Sequence, residues 1–322
     1  MHLKLSGHYV CRVYRADGTV RLEHEFDNLI TNAGLDRYGF VNTNAQTAFG
    51  YALVGSGTSI PQVTDTALAN KIAHTTTTAN SASGYSSGTP DYVFSRITYR
   101  FVPGTLNNVT LTEVGVGWTT TSVFSRSLIL DSNGQPTSIV VLADEYFDLT
   151  YELRFYPPIN DETFLLTIGT QENVPVTVRP IRVTVFGPNF YTGAGTTGWG
   201  NLLGTTSGSI YPREVDRASD GLYFQVGVQG GLDARTSTAF SFTGGSDGLS
   251  SNAWSAIGSY VPGSFQRQFK ITVGLDAGNP SFNHIRMAFR FGGTWQIHFG
   301  SLIAKTPNDI VEMTINYSWG RL

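Results

Sequence analysis

Few side chains in this 322-residue chain stand in patterns that could do chemistry. A thiol and an imidazole come nearest. If Asp17-Gly18 closes a two-residue hairpin, residue pairs sum to 35 and Cys11 faces His24 across two strands. Such a pair can act as nucleophile and base. The thiolate, however, needs an electropositive and partly open position such as a helix N-terminus. Both residues fall mid-strand on an apolar face shared with Tyr9, Val13, Leu22 and Phe26, so a small buried hydrophobe is the expected role of Cys11.

Other motifs lose their context in the same way. Gly193-Ala194-Gly195-Thr196-Thr197-Gly198 matches G-x-G-x-x-G, but Trp199–Ser209 brings further glycines and no helical period, so no helix N-terminus would receive a pyrophosphate. The histidines are His2, His8, His24, His74, His284 and His298, and no two have the i, i+4 spacing of a helical zinc site. Only His284 and His298 could project from neighbouring strands, in a register that does not set them opposite. Glycosidases need two carboxylates about 5–10 Å apart, and Asp144 with Glu145 or Asp216 with Asp220 are formal candidates. Asp216, Asp220 and Asp247 could meet calcium, yet no D-x-D-x-D-G loop is present. No catalytic residue, metal ligand or cofactor is therefore assigned, and the chain is not expected to be an enzyme. Aromatic rings in polar loops carry more weight. Trp199, Tyr211, Tyr223, Trp254 and Tyr260 lie in or beside Gly/Ser/Thr/Asn/Asp segments of the second half. Flat rings beside amides and hydroxyls suit sugar rings and also interface hot spots; capping a sandwich core is the alternative for each.

The elements that would hold these residues are strands. Lys+Arg number 21 and Asp+Glu 24, giving a net charge of −3; charged residues are 14% and glycines 36. That balance disfavours a helical bundle, a nucleic-acid binder and a disordered chain. One cysteine excludes an intramolecular disulfide and Cys-pair zinc motifs. No apolar run approaches a membrane span, and Met1–Arg15 lacks the apolar core of a secretion signal. Tyr146–Tyr156 alternates most cleanly, with Phe147, Leu149, Tyr151, Leu153 and Phe155 on one face. Asn32–Tyr38 predicts a short helix capped by Thr31, and Asp65–Ala73 a second. Thr75–Pro90 has no apolar period and reads as a loop. Gly292-Gly293-Thr294 would pair Phe289 with Ile297 and Met287 with Phe299. The resulting expectation is an all-β fold of two β-sandwich or jelly-roll-like domains, with one or two short helices in the first. Residues 1–172 would form one domain, 173–180 a Pro-marked linker, and 181–322 the other.

Several segments of the first half form a recognisable order. Asn28-Leu29-Ile30-Thr31-Asn32-Ala33-Gly34-Leu35 follows a short hairpin. Then come Leu53-Val54-Gly55-Ser56-Gly57-Thr58, Thr64-Asp65-Thr66-Ala67-Leu68 and Leu111-Thr112-Glu113-Val114-Gly115-Val116-Gly117-Trp118. Phe124-Ser125-Arg126-Ser127-Leu128-Ile129 and Thr150-Tyr151-Glu152-Leu153-Arg154-Phe155-Tyr156-Pro157 complete it. Over residues 1–160 this order resembles the N-terminal module of structural proteins from tailed bacteriophages, found in tail fibres, collar or neck fibres and related appendages. The resemblance implies a virion protein that docks on tail or neck proteins through its first domain. It also implies a symmetric homo-oligomer, a trimer first of all, with no nucleic-acid or membrane partner. The second domain would contact neighbours or a host-surface glycan; a carbohydrate-binding receptor protein is the rival reading. A long fibre would carry a shaft of repeats, and no fixed period occurs here.

Overall fold

A computed structural model of the chain describes residues 1–39, 48–86, 89–181, 222–234, 247–248, 253–257, 260–289 and 293–322. The period-two alternation becomes strand nearly everywhere, and the fold is all-β. The first half gives β1 (His2–Tyr14), β2 (Val20–Asp27), β3 (Leu29–Ile30), helix α1 (Asn32–Gly39), β4 (Tyr51–Gly55), β5 (Lys71–Thr75), β6 (Thr78–Ser86), β7 (Tyr92–Phe101), β8 (Val109–Leu111), β9 (Glu113–Gly117), β10 (Ser125–Leu128), β11 (Ile139–Val141) and β12 (Tyr146–Tyr156). The second gives β13 (Glu162–Ile168), β14 (Gln171–Ile181), β15 (Leu222–Gly227), β16 (Asp247–Gly248), β17 (Ala253–Ile257), β18 (Gln266–Val273), β19 (Ser281–Phe289), β20 (Gly293–Ala304) and β21 (Val311–Arg321).

Local chemistry explains most of these elements. The first hairpin has the expected register, Tyr9 opposite Phe26, Cys11 opposite His24 and Val13 opposite Leu22. Helix α1 starts where Thr31 Oγ1 accepts the Gly34 N–H at 2.9 Å, an N-cap bond. The helix expected over 65–73 does not form. Asp65 instead accepts the Gln62 N–H at 2.8 Å and an Arg126 N–H at 2.6 Å, while the Ala69 and Asn70 amides are drawn to another carboxylate, and the segment runs as turns into β5. The expected loop over 75–90 is also corrected. Its Thr/Ser/Ala/Gly run forms β6, whose backbone pairs antiparallel with β7 from Thr78–Tyr99 to Ser86–Tyr92.

Four sheets result. Eight strands form the largest, in the order β17-β18-β21-β1-β12-β7-β6 with β2 paired to β1. The others are β3-β10-β9-β4-β5, β11-β8 and β13-β14-β20-β19-β15-β16. β1 is the spine of the large sheet. One edge pairs with β12 from Lys4–Tyr156 to Tyr14–Tyr146; the other pairs in parallel with β21 over residues 2–5 and then with β2 over 8–14. The inward row of β12, Phe147 through Phe155, is fully buried against the five-stranded sheet. There Tyr151 meets the edges of Phe49 and Phe124 at ring distances of 5.3 and 6.4 Å.

The expected division into two domains is corrected by this pairing. Residues 173–180 are the middle of β14, because Val174, Val176 and Val178 alternate inward and outweigh the prolines as a signal. β17, β18 and β21 belong to the same sheet as β1 and β12, so both halves contribute to one connected core. The last hairpin is corrected too. Met287 pairs with Trp295 and Ile285 with Ile297, which sets His284 directly opposite His298. The difference is an even slip, which leaves every side chain on its face, so alternation alone cannot distinguish the two registers.

The junction of the halves is aromatic. The Trp319 indole N–H donates to the Leu35 carbonyl at 2.9 Å, and its ring lies 5.3 Å from Tyr38 and 5.6 Å from Tyr260. Trp319→Ala removes a fully packed indole and is expected to cost about 3–5 kcal/mol. In urea unfolding followed by far-ultraviolet and near-ultraviolet circular dichroism, both signals should move together to a lower midpoint. Loss of only one of two separate transitions would mean that the halves fold independently.

Candidate functional site

A charge inside an apolar strand must find a partner or leave the strand unstable. Two such charges stand side by side in the five-stranded sheet. Glu113 opens β9 and Arg126 lies in β10, opposite Gly115, so the two are diagonal neighbours on one face. Both are buried. Arg126 Nη2 donates to Glu113 Oε2 at 2.9 Å and to the Ser59 carbonyl at 3.1 Å; Nη1 donates to Asp65 Oδ2 at 2.6 Å. The other lone pairs of Glu113 take backbone amides of the 56–70 loop: Gly57 at 3.0 Å, Asn70 at 2.7 Å and Ala69 at 3.1 Å. Glycine is needed where the loop closes on the carboxylate, since a Cβ on Gly57 would come within 2.4 Å of Glu113 Oε1.

This cluster brings together residues from four separate segments of the first half: Gly57, Asp65, Glu113 and Arg126. The 28–35 segment adjoins it, with the Asn32 N–H donating to the Val63 carbonyl at 2.7 Å and the Thr31 hydroxyl to Val123 at 3.0 Å. The pairing was missed at the level of sequence, although the signal was there: one acid in Leu-Thr-Glu-Val-Gly-Val and one base in Phe-Ser-Arg-Ser-Leu. What the arrangement does chemically is saturate a carboxylate and tie a surface loop to two strands.

Two open surfaces are formed by described residues. On the outer face of the large sheet, Arg100 lies opposite Asp148, Thr98 opposite Thr150 and Arg96 opposite Glu152. Arg100 grips Asp148 with two bonds of 2.9 and 2.8 Å, and the two threonine hydroxyls bond at 2.8 Å. Arg154 reaches Glu152 at 2.6 Å, and Arg12 pairs with Glu23. These rungs line a shallow depression of about 550 Å³ with Tyr92 at its rim. A second cleft, about 650 Å³, lies between the β13–β14 hairpin and the start of β21.

The residues singled out in the sequence fare differently. Cys11 is fully buried, and burial pushes its thiol far above the usual range, which keeps it protonated. Glu145 is held by Arg21 at 2.6 and 2.8 Å, which pulls its carboxyl below the ordinary range. Tyr260 packs on Trp319 and donates its hydroxyl to Asp36 at 2.5 Å; burial, with that carboxylate beside it, keeps the phenol protonated. Trp199, Tyr211, Asp216, Asp220 and the Gly193–Gly198 motif lie outside the described residues. Tyr223 and Trp254 are placed in β15 and β17.

The six-stranded sheet holds a second buried polar group. His284 and His298 face each other with ring centres 5.9 Å apart, Arg286 donates to Asp233 at 2.9 Å, and Gln296 bonds the Asp233 backbone. Burial, then the positive charge of Arg286, lowers His284 to about 3; burial also lowers His298. Among the described residues no helix is long and apolar enough to cross a membrane, and no group of three or more His, Cys, Asp or Glu is placed to hold a metal.

Compared with known proteins, the chain matches no family model, no curated protein and no solved structure.

Glu113→Gln leaves Arg126 buried with half its charge partners and is expected to cost about 3 kcal/mol. The double variant Glu113→Leu/Arg126→Met should cost less than the sum of the two single changes, read by denaturant unfolding of all four proteins. For His284 the sign follows from its lowered value. Above pH 6.5 both folded and unfolded imidazoles are neutral; below it the unfolded chain takes a proton that the folded chain refuses until about pH 3. Stability should therefore fall through this window, more steeply for the native chain than for His284→Gln. Equal slopes for the two would contradict the assignment.

Proposed function

We propose that this chain is a structural component of a tailed-phage virion, a tail fibre, collar or neck fibre or baseplate adaptor acting through protein–protein assembly. What supports the reading is the convergence of separated resemblance segments on the Glu113–Arg126–Asp65 cluster. The side chains that mark the module are spent on holding a loop in shape, as an assembly scaffold requires, with the outer sheet face and the second cleft left open for contacts. In this reading the chain is made in the bacterial cytoplasm, has no cofactor, and meets copies of itself and other tail or neck proteins in the virion.

The test is the particle. Quantitative mass spectrometry of purified virions of the phage that encodes the chain should find it at a fixed copy number commensurate with tail symmetry. Its absence from washed, infectious particles would overturn the proposal.

One observation favours a second reading, that of a carbohydrate-binding receptor protein: the depression over β1, β12 and β7, where arginines, carboxylates and threonine hydroxyls alternate beside Tyr92. Such paired donors and acceptors fit vicinal hydroxyls. A glycan array of the full chain, repeated with Tyr92→Ala, would support this reading by specific binding lost in the variant. No binding to host-surface glycans would remove it.

A further inference from the structure

Buried polar atoms in a folded protein are nearly always hydrogen-bonded, and one that is not calls for a water, an ion or a ligand. His298 Nε2 is such an atom, buried and with no hydrogen-bond partner. Its ring is held by the other nitrogen, which donates to the backbone carbonyl of Gln229. The proton therefore sits on Nδ1, and Nε2 presents a bare lone pair. Histidines that ligate metals are held in this way, the second nitrogen fixing the tautomer and the ring orientation. Gln229 Oε1, on the same segment, is a second buried acceptor with no donor.

Opposite this ring stands His284. The two histidines are direct partners on β19 and β20, on the side of the sheet away from Ile285, Ile297 and Phe299, with ring centres 5.9 Å apart. One ion between them, at metal–nitrogen distances of about 2.0–2.1 Å, would hold the ring centres roughly 5–6.4 Å apart according to the angle at the metal. The observed spacing falls inside that range. Burial keeps both imidazoles neutral at pH 7, the form that ligates. The neighbouring cation, Arg286, is answered by Asp233 Oδ2 at 2.9 Å. Residues 229–233 strap the pair down. The Gln229 N–H and carbonyl both bond the Asn283 side chain at 2.9 Å, and Gln296 bonds the Asp233 backbone at 3.0 and 2.9 Å. His284 is fully buried and His298 half-buried, so an ion would arrive from the β20 side.

We propose that His284 and His298 clamp one zinc, copper or nickel ion between β19 and β20, beneath the 229–233 strap. Imidazole nitrogen suits these metals, whereas magnesium and calcium take oxygen ligands. Two imidazoles are fewer protein ligands than a closed zinc site uses, so water completes the coordination and the expected Kd is on the order of micromolar. The role is structural: the ion fastens the hairpin and gives the bare nitrogen its partner. The site stands apart from the assembly reading, which neither needs it nor fails with it.

Calorimetric titration of the untagged full chain, stripped of metal with a chelator, tests this with zinc, copper(II), nickel and magnesium salts in turn. One equivalent of zinc, copper or nickel should bind, and magnesium should not. His284→Gln and His298→Gln should each weaken zinc binding at least tenfold, while His74→Gln, on β5 of another sheet, should leave it unchanged. Zinc at 100 times its Kd should raise the folding equilibrium constant about a hundredfold, read as a later denaturant midpoint. Because replacing a buried histidine can unfold the chain, the native protein gives a second reading. In proton–nitrogen correlation spectra of the imidazoles, zinc should shift the ring signals of His284 and His298 and leave those of His74 in place. No stoichiometric binding, binding indifferent to both variants, or shifts confined to other histidines overturns the site and leaves a buried water on His298 Nε2.

Discussion

A carboxylate that cannot reach water has to be satisfied where it lies, and the five-stranded sheet is arranged around that demand. Glu113 has more acceptor capacity than its strand can fill. Arg126 supplies the charge, and the amides of Gly57, Ala69 and Asn70 supply the remaining donors. In exchange, a loop of low hydrophobicity between β4 and β5 becomes as fixed as the strands. Each further feature follows from this. Asp65 is turned inward and no helix starts there; glycine stands where the loop touches the carboxylate; Asn32 and Thr31 find loop and strand carbonyls for the start of α1.

The second constraint is topological. β1 offers one edge to β12 along its length and divides the other between β21 and β2, so the first residues of the chain are paired with the last. Trp319, Tyr317, Tyr260 and Tyr38 then fill the space under α1. With the first and last strands locked into one sheet, the described residues offer partners outer faces and edges. The outer face of β1, β12 and β7 is neutralised rung by rung: Arg96 and Arg100 have their carboxylates directly across, and Arg154 takes Glu152 two residues along its own strand. Asp148 and Glu152 are themselves buried, and the arginine side chains cover them. They keep the face soluble while leaving its hydrogen-bonding groups on display. The β13 strand, by contrast, displays apolar side chains, Phe164 and Leu165.

Local order was legible where one interaction dominated. Asp17-Gly18 and the alternation of Tyr9, Cys11 and Val13 fixed the first register, and the row from Phe147 to Phe155 announced a buried face. Thr31 announced the helix start. Legibility failed where distant partners decided. The 65–73 segment has an adequate helix pattern, but Glu113, more than forty residues away, takes its amides. β6 has no apolar period because its side chains contribute little; its order comes from the backbone ladder with β7. Pro175 and Pro180 looked like a boundary, yet the valines between them carried the strand. An even register slip left the pairing of His284 with His298 invisible. Of the candidate site, the opposite charges of Glu113 and Arg126 were readable as an anomaly, but their convergence with Asp65 and Gly57 depends on strand order that no local pattern encodes.

The most direct measurement of the central claim is residue-resolved amide hydrogen exchange on the native chain. If the Glu113 carboxylate anchors the loop, the amides of Gly57, Ala69 and Asn70 should exchange as slowly as those of β9 and β10, and far more slowly than the turn amides near Gly104 and Gly134. Exchange of all three at the rate of those turns would contradict the account.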